Sequence, residues 1–199
     1  MAVRPVTGEV VAVVLAAGEG SRFDGEGHKL LAPFRGRPLV TWAVEAAVGA
    51  GLAATVVVEG AVALGEVVAE VGLGEQVTLV RNEQWAAGQA GSLQRGLAAA
   101  RVLGAEAAVI GLGDQPLIGS EAWRRVAAAP EGAPIAVATY GGERRNPVRL
   151  AREIWDLLPT EGDEGARALI RGRADLVMEV PCPGEAADVD TVEDLRRWS

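Results

Sequence analysis

Cysteine and histidine are almost missing from this 199-residue chain, which has one of each, Cys182 and His28. A single cysteine excludes an internal disulfide, and so few soft ligands argue against zinc. Any metal is therefore expected to be a hard cation held by carboxylates, such as magnesium. Aromatic residues make up only 4% of the chain while apolar residues reach 49%, so the core must be built from Ala, Val and Leu. That apolar content also argues against a disordered chain. Positive charge is in deficit: 19 Lys and Arg stand against 27 Asp and Glu. No broad positive field is available for nucleic acid or an anionic membrane, although a few placed cations could still hold one nucleotide. The opening MAVRPVTGEV lacks the apolar centre of a signal peptide, and no run reaches the length of a membrane span. A soluble cytoplasmic protein, organised as one domain over residues 1–199, is expected.

Apolar runs rich in β-branched residues alternate with helical patterns along the chain. Val10 to Leu15, Ala54 to Val58, Val77 to Val80 and Ala107 to Leu112 read as strands. Between them, Pro38 to Ala50, Val62 to Val71 and Gly91 to Leu103 read as helices. Continuous hydrophobicity suits strands covered on both faces, and the strand–helix repetition predicts an α/β fold with a mostly parallel, Rossmann-like sheet. Later, helices are expected over Ser120 to Ala129, Gly165 to Arg171 and from Thr191 on, with strands at Ile135 to Thr139 and Leu176 to Val180. YGGERR reads as a glycine-rich turn, followed by a short apolar run at Pro147 to Leu150.

Ligands of open parallel sheets sit beyond the carboxyl ends of the strands. The unusual residues of this chain fall at those places: AAGEGSRFDGEGHK after the first strand, RNEQWAAGQAGS after the third, GDQPL after the fourth, and DVDT before the last helix. In the first loop, glycine lets the backbone approach phosphate, Ser21 adds a hydroxyl, and Arg22 and Lys29 add charge. The spacing matches neither GxGxxG nor a P-loop, so a plain glycine turn with solvated cations competes with this reading. Asp114 and Asp190 could together hold magnesium, or Asp114 could fix its turn while Asp190 and Thr191 cap the last helix.

LAAGEGSRF with Lys29-Leu30-Leu31, NEQWAAGQAGSLQRGL, GDQPL, RRNPV, GDEGARAL and DVDT occur in an order that resembles the molybdenum-cofactor cytidylyltransferases, from about Val10 to the C-terminus. LAAGxxSR alone marks the wider nucleotidyltransferase superfamily; the later segments narrow it. The resemblance implies a three-layer nucleotidyltransferase fold and magnesium-dependent transfer of CMP from CTP to molybdopterin, with release of pyrophosphate. It implies nucleotide contacts from Leu15, Ala16, Ala17, Gly18, Ser21, Arg22, Lys29, Asn82, Gly88 and Ser92, with Arg22 and Lys29 on the triphosphate as catalytic cations. Asp114 and Asp190 would be the metal ligands, and Arg145 and Asn146 would face the acceptor. A molybdoenzyme would receive the product. The family often has His-Pro where this chain has Asn146-Pro147, which leaves the acceptor open.

Three other readings stay open. GTP or another phosphorylated acceptor could be used, the chain could handle the cofactor without catalysis, or the fold could serve an NAD(P)H oxidoreductase.

Overall fold

The computed structural model describes residues 9–130 and 132–199. Its centre is β1 (Val10–Ala16), whose seven residues alternate between two cores. Val11, Val13 and Leu15 face one cluster with Leu93, Leu97 and Trp155. Ala12, Val14 and Ala16 face the other, with Val40, Val44 and Trp123. Both faces are covered, as a run without polar alternation requires. Burying one such Val or Leu side chain is worth about 1.5–3 kcal/mol.

After β1 the chain makes a small hairpin, β2 (Pro33–Phe34) and β3 (Arg37–Pro38), and enters α1 (Leu39–Gly49). β4 (Thr55–Glu59), α2 (Gly65–Glu70), β5 (Val77–Arg81), α3 (Gln89–Val102) and β6 (Ala107–Leu112) follow. Then come α4 (Ser120–Ala127), β7 (Ile135–Tyr140), β8 (Glu143–Ala151), α5 (Arg167–Gly172), β9 (Val177–Pro181) and α6 (Val192–Trp198).

Seven strands form one sheet in the order β5-β4-β1-β6-β8-β7-β9. β8 runs antiparallel to both of its neighbours and the remaining pairings are parallel. The expected α/β fold with a mostly parallel sheet is the observed one. The chain leaves β1 toward β4 and β5, then returns through α3 to place β6 on the other side of β1. This reversal opens a crevice between the ends of β1 and β6, the place where such sheets take ligands.

Beyond shifts of two residues or fewer at their ends, the elements differ from the sequence reading in three places. α2 starts at Gly65 rather than Val62, because Leu64 and the residues before it form a turn in which the Leu64 amide donates to Glu59 Oε2. The β2–β3 hairpin is absent from the sequence reading; its turn holds Arg35 at φ 48° and Gly36 at φ 80°. The stretch read as the turn YGGERR is longer in strand: only Gly141 and Gly142 turn, and Glu143–Asn146 already belong to β8.

Two small features fix the edge of the sheet. The pairing of β7 with β8 shifts between Val137 and Ala138, so Asn146 and Pro147 bulge out of the ladder, and Asn146 is turned toward the crevice. A separate apolar group of Phe34, Leu39 and Val189, packed against Trp42, Leu195 and Trp198, ties the hairpin to α6. No helix among the described residues is long and apolar enough to cross a membrane.

Candidate functional site

β1 and β6 end level, with Leu15 paired to Leu112, and the Gly113 amide donates to Leu15 O at 2.9 Å. A side chain at Gly113 would meet the Ala16 methyl at 2.9 Å, so glycine is needed for the two strand ends to lie this close. Asp114 therefore emerges beside the loop that follows β1. The segment before α6 is stitched to it: the Val189 amide donates to Asp114 O at 3.0 Å, which brings Asp188 and Asp190 alongside.

Lys29 sits at the centre of this cluster. Its ammonium donates to Asp114 Oδ2 and to Asp190 Oδ1, each at 2.8 Å, with the side chain only 8% exposed. Burial works against its charge, but Asp114 and then Asp190 outweigh it and raise its pKa above the ordinary lysine value. Arg22, largely exposed, adds a second cation 2.9 Å from Asp190 Oδ2. Asp114 Oδ1 is buried without a hydrogen-bond partner. Asp188 accepts from Gln115 Nε2 at 2.7 Å, and Gln115 Oε1 accepts from Asn146 Nδ2 at 3.1 Å, so one buried amide joins the bulge in β8 to this carboxylate. Burial, then the charge of Asp114, pushes the Asp188 carboxyl above its usual range.

His28 has a defined structural task. Its Nδ1 accepts from the Leu30 amide at 3.2 Å, so the proton lies on Nε2, which is 3.0 Å from Gly18 O. The ring thus pins the first loop to the turn that carries Lys29. Burial, helped by the Lys29 charge, holds its pKa below the ordinary histidine value, against the pull of the Gly18 carbonyl.

Two grooves adjoin here, one lined by Asp114 and the other by its neighbour Gln115, with Arg167 on both. The first, of about 420 Å³, is lined by Leu15, Ala17, Gly18, Arg22, Gly88, Ser92 and Asp114 among the expected residues. Glu19, Trp85, Gln89, Asp163 and Arg167 also line it. The second, of about 590 Å³, has Arg144, Arg145 and Asn146 on one wall, Arg167 and Arg171 on another, and Gln115 and Asp188 toward the first groove. Six of the ten expected nucleotide residues thus line the first groove, and the expected acceptor residues Arg145 and Asn146 line the second.

Other expected site residues lie elsewhere. Ala16 is buried at the strand end and Ser21 is exposed, and neither lines the first groove. Asn82 is buried and donates to Ser92 Oγ at 3.0 Å, so it fastens the loop after β5 to α3. Lys29 also lies outside the groove lining, turned to its two carboxylates. The sequence reading missed Gln115, Asp163 and Arg167 as site residues. All three lie inside segments already singled out, GDQPL and GDEGARAL, so the signal was present and only the direction of each side chain was not.

The family description "MobA-like NTP transferase domain" matches residues 12–177. The chain is 33% identical to nicotine blue oxidoreductase of Paenarthrobacter nicotinovorans, over 94% of this chain and 95% of that protein. A nucleotidyl transferase from Methanothermobacter thermautotroptrophicus has the same fold, with TM-score 0.81 and 27% identity over 95% of both chains. Rv0371c from Mycobacterium tuberculosis, in a complex with manganese, aligns with TM-score 0.75 and 28% identity over 97% of this chain and 98% of that one.

Proposed function

This chain belongs to the MobA-like NTP transferase family, and from that premise we propose that it is a single-domain enzyme transferring CMP from CTP to molybdopterin, with magnesium and release of pyrophosphate. The observation that carries the reading is the pair of adjoining grooves, one lined by Asp114 and the other by Gln115 and Asp188. One groove is floored by the β1 loop, and the other is walled by arginines suited to a phosphorylated acceptor.

The acidic cluster fits a hard divalent cation. Asp114 keeps one buried oxygen without a donor, a costly state that a cation would relieve. Asp190 is close enough to share the Lys29 ammonium with it. Among the described residues no group of three or more His, Cys, Asp or Glu forms a closed metal cage. Two carboxylates suit magnesium, which keeps several waters and accepts phosphate oxygens. Asp114 and Asp190 would hold the ion, and when bound it would supply charge neutralisation around the α-phosphate and the departing pyrophosphate.

The chain's own residues do the rest. Ala17 and Gly18 present backbone to the nucleotide phosphates, and Arg22 adds a guanidinium to them. Lys29 holds Asp114 and Asp190 at a fixed separation and offsets their charge. Arg145 and Asn146 orient the acceptor phosphate. One of its oxygens forms a bond to the α-phosphorus as the bond from that phosphorus to the bridging oxygen breaks. The electron pair leaves with pyrophosphate. The attacking phosphate is already ionised at neutral pH, so no general base is needed, and positioning and charge dominate. A chain whose one histidine is occupied in holding a loop fits such chemistry.

A second reading, hydride transfer from NAD(P)H, is favoured by the likeness to nicotine blue oxidoreductase. A dinucleotide in the first groove would bring its pyrophosphate against the same carboxylates, which repel it unless a cation intervenes. The deciding experiment incubates the protein with CTP, GTP, ATP or UTP, magnesium and molybdopterin, and measures pyrophosphate. In parallel, NADPH absorbance is followed with a quinone-like acceptor. Pyrophosphate with CTP foremost supports the proposal; NADPH consumption with no pyrophosphate from any nucleotide refutes it.

A further inference from the structure

The grooves are rich in arginine, yet nearly every guanidinium is committed. Arg22 is bound to Asp190, Arg144 to Glu179, Arg145 to Glu143, and Arg171 to Glu164. Arg167 differs. Among the described residues it makes no ion pair, and it lines both grooves. The carboxylate one turn before it, Glu164, has both oxygens on Arg171.

Its stem is nonetheless fixed. The Arg167 amide donates to Glu164 O at 2.9 Å, and the preceding Gly165 is buried against Gln89 of α3. An anchored backbone with an exposed guanidinium that makes no ion pair among the described residues presents five donors in a planar fork to whatever enters between the grooves. The chemistry that matches such a fork, shared by two anion sites, is a phosphoryl group exchanged between them.

We propose that Arg167 is a catalytic residue that grips the phosphoryl group in transit, contacting the α-phosphate of the nucleotide and the attacking phosphate of the acceptor together. This rests on the nucleotidyltransferase reading above. The residue has nothing to release before it binds, whereas Arg22, Arg144, Arg145 and Arg171 must first give up a carboxylate. The charge it meets is greatest in the transition state, when entering and leaving oxygens share one phosphorus, so its contribution falls on turnover more than on the binding of either substrate.

The test is steady-state kinetics of wild type, Arg167→Ala and Arg167→Lys with CTP, magnesium and molybdopterin, alongside calorimetric binding of CTP alone and thermal unfolding. Arg167→Ala is expected to lower kcat about 100-fold, with KM for each substrate and Kd for CTP within about threefold. Arg167→Lys, which keeps the charge and loses the fork, should fall between the two. Unchanged kcat, or a rise in KM for one substrate alone, overturns the proposal while wild-type turnover keeps the broader reading intact. Absence of pyrophosphate from wild type removes the broader reading and this proposal with it. A melting midpoint matching wild type separates a lost contact from a lost fold.

Discussion

Lys29 and Asp114, 85 residues apart in the chain, meet at 2.8 Å between the two grooves, with Asp190 at the same distance from the same ammonium. The lysine expected on the triphosphate is here bonded to both of the carboxylates expected to hold a cation. Charge is thereby balanced locally in a protein whose overall charge is acidic, and the balance is open to perturbation at each member.

Replacing Lys29 should be structurally expensive. Lys29→Ala leaves Asp114 without its cation and Asp190 with only the exposed Arg22, a loss of about 1–3 kcal/mol for a partly buried charge. Urea unfolding measures it. The double variant Lys29→Ala, Asp114→Asn should be more stable than Lys29→Ala alone, because one of the two carboxylate charges is gone.

Asp114→Asn tests the other side of the pair. Lys29 keeps Asp190, so the fold should hold, with a melting midpoint near wild type. Pyrophosphate release should drop about 100-fold or more, since the residue proposed as the main cation ligand is lost. Activity close to wild type would remove Asp114 from the chemistry.

His28 predicts an acid-side weakening of the fold. Burial, foremost, holds its folded pKa below the ordinary 6.5. As pH falls through the unfolded value, the unfolded chain takes up a proton that the native ring resists, so stability drops with falling pH. Urea midpoints measured between about pH 7 and pH 5 should show this slope, and His28→Gln should flatten it.

Gly88 stands at φ 113° on the wall of the first groove, and a methyl there would lie 2.5 Å from Gly162 O. Gly88→Ala should cost about 1–3 kcal/mol in strain and displaced packing. By pushing the 162–163 loop away it should raise KM for the nucleotide more than it lowers kcat. Kinetics at saturating acceptor distinguish the two effects.

Much of this was legible before folding. β1, β4 and β6 are uninterrupted apolar runs, and the ends of such strands mark the crevice. GDQPL showed its aspartate because a strand, a glycine and a proline bracket it. The β2–β3 hairpin was invisible because two-residue strands carry no periodicity and its turn forces Arg35 into a conformation that arginine rarely adopts. Glu143–Arg145 read as part of a turn because charge and neighbouring glycines hid an exposed strand end. The role of His28 and the meeting of Lys29 with its two carboxylates depend on side-chain direction, which no spacing encodes. Arg167 was hidden for the same reason: that it lines both grooves and makes no ion pair among the described residues is a fact of three dimensions.

The hydrogen bond from Val189 to Asp114 makes the acidic cluster depend on a segment that the sheet does not hold. The last strand of the sheet ends at Pro181, and Asp188 and Asp190 follow it in the ten residues before α6. Asp114 is fixed by its strand, whereas its acidic neighbours are fixed by how that strap lies. With the strap lifted, Lys29 would keep one carboxylate instead of two, and the crevice would lose much of its charge while its shape remained.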